Sequence, residues 1–277
     1  MKAARRTGIT VALLTGFLLA GTPSTFAGFG WHAAADRPRV GALPDTTISA
    51  EESSYFATRG TGDSPMHEFL VSVLNDVHRY WSKQWSAYGY PIPDVAFRFP
   101  APGEQVPITV ECTRDGTGLS NDATAQYCAI DDGIVISQAI ADLIGRGEVE
   151  VNDDHIDRYR PGDFSVAYVV AHEYAHNLQA ELGLIGTSAN GRARRYPVHT
   201  EELHADCWSG VWARSASDRR ILDPGDIGEA IQTTMDFGDY EVWAHDHHGT
   251  PAQRADAFLA GLAGGAPTVC DGYLQTD

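Results

Sequence analysis

Positive charge is scarce in this 277-residue sequence: 20 lysines and arginines stand against 37 aspartates and glutamates, for a formal net charge of −17. Such a balance argues against nucleic acid and anionic membrane surfaces as partners, since both need a basic footprint. Cysteine is scarce too, with Cys112, Cys128, Cys207 and Cys270 the only four. None of them falls in a C-x-x-C spacing, so the usual signature of a cysteine zinc site is missing. No internal repeat is visible, and beyond the first residues no apolar run is long enough to cross a bilayer. What remains is a chain with 43% hydrophobic residues, enough for a proper core and short enough for one domain, with two lobes as a variant.

The first residues, "MKAARRTGITVALLTGFLLAGTPSTFAGFG", place Lys2, Arg5 and Arg6 ahead of an apolar stretch, which gives way to small residues ending at Ala27. This is the layout of a secretory signal peptide cleaved after Ala27. Its loss would remove three positive charges and no acid, taking −17 to −20. The expected location is therefore secreted or extracytoplasmic, with no stable membrane association after cleavage. In an exported chain an even cysteine count points to disulfides. Of the three possible pairings, Cys112 with Cys128 and Cys207 with Cys270 is favoured: the first pair flanks a short Gly-rich turn, and the second would tie a helix to the chain end.

Residues 28–64 are rich in Gly, Pro, Ser and Thr and read as an extended or mobile segment. From Pro65 to about Tyr88, apolar residues recur at three and four positions behind Ser64 as N-cap, which predicts a helix. "VAFRFP" and "VPITVEC" are short β-like pieces. A strand is expected over 133–137 and a helix from Gln138. The stretch 164–182 has no Gly or Pro, with Asp163 placed to cap it and Gly183 placed to end it. Thr200 is expected to cap a helix from Glu201 to about Arg214, and Asp223-Pro224 to open one running to Met235. Thr250-Pro251-Ala252-Gln253 is a capping-box pattern for a last helix to about Ala263. The fold class is α+β, helix-dominated, with a small β-sheet beside the 164–182 helix.

Within that helix, "VVAHEYAHNLQA" carries H-E-x-x-H. On a helix His172 and His176 lie one turn apart on one face and can reach a common metal ion, with Glu173 beside it to address a water. With 11 histidines and 13 glutamates in 277 residues, chance yields the pattern about 0.02 times in such a chain, so accident is a poor explanation. The extension H-E-x-x-H-x-x-G-x-x-H is absent, because positions 179 and 182 are Gln and Leu. A third ligand must come from elsewhere. "EELHADCWSGVW" offers Glu202 as ligand, with Asp206 one turn on to accept the outer N–H of a ligand histidine. Glu201, His199 and His204 are rivals.

These stretches resemble a known family. "GDFSVAYVVAHEYAHNLQ", "EELHADCWSGVWA" and "HGTPAQRADAFLAG", with "YCAIDDGIVIS" more loosely, are similar to the bacterial "putative neutral zinc metallopeptidase" family, within the thermolysin-like gluzincin arrangement. The resemblance runs from about residue 65 to the end. It implies a zincin-like fold, one catalytic Zn2+ held by His172, His176 and Glu202, Glu173 as catalytic glutamate, a peptide or protein substrate, and both cysteine pairings.

An oxyanion formed at the substrate carbonyl needs a further donor, and His248 in "HDHHGT" is the candidate, with His245 and His247 as competitors. The 133–137 strand is read either as a sheet edge that pairs with an extended substrate or as an internal core strand. Arg192, Arg194 and Arg195 read as a solvated basic loop, and Asp153, Asp154 and Asp157 as a solvated acidic turn. From a different class, a secreted zinc-stabilised binding or regulatory protein without proteolytic activity would carry the same motif.

Overall fold

The computed structural model describes residues 47–48, 64–149, 159–185 and 196–274. The expected signal peptide over 1–27, the 153–157 acids and the 192–195 arginines all lie outside the described residues. The elements, in chain order, are β1 (Thr47–Ile48), α1 (Pro65–Ala87), β2 (Val95–Arg98), β3 (Ala125–Cys128), β4 (Gly133–Ile136), α2 (Gln138–Arg146), α3 (Asp163–Glu181), α4 (Val198–Asp218), α5 (Asp226–Asp236) and α6 (Pro251–Gly264), with one-turn 3-10 pieces at Val110–Cys112 and a longer one at Pro267–Tyr273. The α+β class is observed, with helices dominant.

The sheet order is β1-β2-β4-β3. β2 and β4 run parallel, and the outer pairs are antiparallel. β4 is therefore internal, with every residue buried; of the two readings of 133–137 the core strand is observed and the substrate-pairing edge is not, since its apolar run Ile134-Val135-Ile136 is what a strand flanked on both sides requires. The edge on that side is β3. Part of the 28–64 segment is ordered as well, because Thr47–Ile48 pairs with Val95–Ala96. "VPITVEC" is not a strand; Pro107 makes a single bridge to Leu119, and Val110–Cys112 is a 3-10 turn.

Local signals place several boundaries where the sequence puts them. Ser64 Oγ accepts from the His67 N–H with Pro65 at the first helical position, and Thr250 and Gln253 form the reciprocal capping pair of α6. Ser137 caps α2, and Gly183 follows α3 at φ 66°. Three starts differ. α3 begins at Asp163 behind Gly162, and its Phe164 N–H is capped by the Glu229 carboxylate of α5 at 2.9 Å rather than by Asp163. α4 begins at Val198 behind Pro197, so Thr200 lies inside the helix and is buried; burial of Tyr196 and Val198 pulls the start back. α5 starts at Asp226, where the Asp226 carboxylate accepts from the Asp223 N–H.

α3 is the central helix, with 16 of its 19 residues buried, which is why its sequence lacks a polar stripe. α1, α2, α4, α5 and the sheet all contact it. α4 and α6 pack at backbone contact: a Cβ on Gly261 would sit 1.8 Å from Cys207 O, and one on Gly210 2.0 Å from Phe258 O. The Cys207–Cys270 disulfide ties the same helix pair to the chain end, and Cys112–Cys128 ties β3 to the 3-10 turn before it, as the sequence predicts. Gly261→Ala must push α6 off α4, so it is expected to destabilise by about 3 kcal/mol or more, at the upper end of overpacking costs. Chemical denaturation without reductant reads this directly, and an unchanged midpoint would show that the helices can separate freely.

Candidate metal centre and catalytic cleft

Three side chains on two helices converge. His172 and His176 project from one face of α3, and Glu202 from the first turns of α4. The two Nε2 atoms lie 3.1 Å apart, and the Glu202 carboxylate faces both, with Oε2 3.1 Å from His172 Nε2 and its other oxygen, Oε1, 3.4 Å from His176 Nε2. Tetrahedral zinc with bonds of about 2.0–2.1 Å needs donor separations of about 3.3 Å. The donor set therefore fits a single zinc ion both in chemistry and in spacing.

The outer nitrogens of both rings are fixed by neighbours. His172 Nδ1 lies 2.9 Å from Asp206 Oδ1, in the position expected for Asp206. His176 Nδ1 lies 2.7 Å from Gln179 Oε1. Gln179 cannot turn its amide round, because its Nε2 donates to Glu201 O at 2.7 Å and to His204 Nδ1 at 3.0 Å. With a metal bound, Asp206 and Gln179 would take the Nδ1–H side of each ring and leave the Nε2 lone pairs facing inward. Two lone pairs and a carboxylate at 3.1–3.4 Å repel one another unless positive charge lies between them.

Burial and charge agree. Burial works against charge on His172, but Asp206 and Glu202 outweigh it and raise the imidazole to about 10. Burial likewise raises Glu202, yet the two histidines hold it well below the carboxylate range. The pocket favours positive charge, so a metal ion bound there would displace protons.

Asp206 is fully buried and held by a side chain far along the chain. Arg254, on α6, donates from Nε to Asp206 Oδ2 at 2.8 Å and from Nη2 to Asp206 Oδ1 at 3.0 Å. Its Nη1 donates to Phe237 O at 3.0 Å, and Nη2 lies 3.5 Å from Glu202 Oε2. The Tyr168 hydroxyl, one turn before His172, also donates to Asp206.

Glu173 stands apart from the donor triangle. Its Oε2 accepts the main-chain N–H of Tyr127 on edge strand β3 at 2.7 Å, and it lines a cleft of about 560 Å³ together with His172, His176, Glu202 and Arg254. The cleft has apolar walls at Ile140, Val169 and Phe237, and β3 residues Ala125, Gln126 and Tyr127 run along it.

The remaining candidates separate. Of the rival ligands, His199 packs against the His247 ring. His204 is fully buried, accepts from Gln179 through Nδ1, and is pushed down to about 3 by burial. Glu201 is buried, and its main-chain oxygen accepts from Gln179. None of them joins the donor cluster. Of the three loop histidines, His248 lines the cleft, His247 is buried with its Nδ1 on Asp239, and His245 is exposed. Sequence reasoning missed Gln179 and Arg254. Gln179 was visible only as the residue that breaks the longer histidine motif, though its i+3 spacing from His176 was a usable signal. Arg254 lay inside a quoted motif without a role.

Two histidines and a glutamate from a helix pair thus lie together beside an edge strand whose Tyr127 N–H binds a second glutamate. The profile of the family described as "Putative neutral zinc metallopeptidase" matches residues 39–273, and the chain belongs to that family. Among curated relatives, "Uncharacterized protein YpfJ" of Escherichia coli strain K12 is 29% identical over 179 residues, 58% of this chain and 58% of that protein. "Uncharacterized protein Rv2575" of Mycobacterium tuberculosis strain H37Rv is 35% identical over 140 residues, 42% of this chain and 46% of that protein. The chain thus spans about half the length of the curated relatives it matches. No solved structure matches it.

Proposed function

We propose that the chain is an exported zinc-dependent peptidase, with a signal peptide over 1–27 and the catalytic domain over 65–277. The observation that carries this reading is the donor triangle of His172, His176 and Glu202 with Glu173 at the adjoining cleft wall. The family supports zinc as the ion. Both disulfides suit an oxidising compartment, and no described helix is long and apolar enough to cross a membrane.

His172, His176 and Glu202 would hold the zinc. When bound, zinc supplies Lewis acidity, which acidifies a water and polarises a peptide carbonyl. Asp206 and Gln179 keep the ligand rings in the tautomer that faces inward. Glu173, aimed by the Tyr127 N–H, takes the attacking water's proton and passes it to the leaving amine. His248 donates to the carbonyl oxygen as negative charge builds on it. The substrate is a peptide or protein segment laid along the β3 edge, whose outward main-chain groups suit an extended chain.

The zinc-loaded mature chain is expected to cleave members of a broad peptide library, to stop after chelation, and to recover on adding zinc. If the zinc-loaded chain cuts nothing in such a library, the second reading takes over: a zinc-stabilised binding or regulatory protein built on the same site.

A further inference from the structure

Between Arg220 and Arg254 the chain has no lysine or arginine and seven carboxylates. The loop joining α5 to α6 lies in this stretch. It is closed at its base by Asp239, whose N–H donates to Gly249 O at 3.0 Å and whose carboxylate accepts the His248 N–H at 2.8 Å and the Glu241 N–H at 3.0 Å. Above this fixed base the loop turns apolar side chains outward. Trp243 is 96% exposed, with Tyr240 at 55% and Val242 at 49% beside it, whereas Trp81, Trp85, Trp208 and Trp212 are buried. Glu241 and Asp246 are exposed among them.

The loop is continuous with the cleft. Phe237 and His248, at its two ends, line the cavity that holds the donor triangle. Trp243 is five residues from His248, so it lies within about 18 Å of it along the chain. A substrate segment that runs out of the cleft past His248 therefore has Trp243 within a few residues' reach. An indole placed in water by a hydrogen-bonded loop is a contact surface, and the charge around it selects the sign of its partner.

We propose that the loop 239–249 is an exosite for cationic, apolar segments of protein substrates. Trp243 and Tyr240 receive lysine or arginine side chains and their apolar neighbours by cation–π and stacking contacts, and Glu241 and Asp246 supply the opposite charge. This rests on the reading of the cleft as a peptidase site, and the test keeps the two apart.

Binding is measured on the zinc-loaded Glu173→Gln protein with a fluorescein-labelled sixteen-residue peptide repeating Lys-Phe-Lys-Leu, and with its glutamate counterpart. The lysine peptide is expected to bind, to weaken about 10- to 30-fold in Trp243→Ala, and to weaken as salt rises; the glutamate peptide is expected not to bind. In the active enzyme Trp243→Ala is expected to raise KM for the lysine peptide and leave a cleft-length peptide unaffected. Equal binding of both peptides, unchanged binding by Trp243→Ala, or an equal loss on long and short substrates overturns the exosite. Trp243-dependent binding with no cleavage by the wild type upholds the exosite and sinks only the peptidase reading.

Discussion

Glu173→Gln is expected to retain one zinc per chain and to lower kcat/KM by about 10³-fold, within the range for loss of a general base. Glu173 contributes no atom to the donor triangle, so metal content has no reason to change. The glutamine carbonyl can still accept the Tyr127 N–H that the carboxylate accepts at 2.7 Å, so the side chain stays in place. What the amide cannot do is take a proton from water. Metal analysis beside single-turnover kinetics separates these effects, and His172→Ala provides the contrast by losing metal and activity together. A Glu173→Gln protein that cleaves at the wild-type rate would remove Glu173 from the chemistry. One that loses zinc would mean that the carboxylate has moved into the coordination sphere.

Features carried by neighbouring residues were legible in the sequence. Ser64-Pro65 and Thr250-Pro251 announce helix starts because their caps are satisfied within four residues. His172 and His176 meet because helical periodicity alone brings i and i+4 together, and the cysteines pair as their spacing and the family resemblance imply. The features that were misread depend on distant partners. The first turn of α3 is capped by Glu229, 65 residues from Phe164, so Asp163 had no cap to provide. The choice between edge and core for 133–137 stayed open for the same reason: β4 is internal through its parallel pairing with β2, a long-range pairing that the residues within 133–137 cannot report. Thr200 looked like a cap because of its side chain, but burial of the residues before it set where α4 begins. At the site, Glu202 and Asp206 could be proposed from i, i+4 spacing. The group that neutralises Asp206 could not, since Arg254 is 48 residues away and reads locally as an ordinary helix arginine.

That arginine yields the other large effect. Asp206 has no solvent exposure, and its charge is matched by two guanidinium N–H donors at 2.8 and 3.0 Å. Arg254→Met keeps much of the volume but leaves buried Asp206 with the His172 ring as its remaining positive partner, so the metal-free protein is expected to lose about 3 kcal/mol, the low end for a broken buried pair. The zinc-loaded protein should lose less. With the guanidinium gone from Asp206 and from its place 3.5 Å from Glu202, the pocket is more negative by one charge and attracts a divalent cation more strongly. Tighter binding to the native state raises stability in proportion to the logarithm of affinity. The stability gap between zinc-loaded and metal-free protein should therefore widen in Arg254→Met, although both forms are weaker than wild type. Arg254→Met combined with Asp206→Asn removes both charges and should restore part of the loss while narrowing that gap. Urea denaturation with and without zinc measures all four differences. A gap that narrows in the single variant would mean that Arg254 acts by orienting Asp206 on His172 more than by balancing its charge.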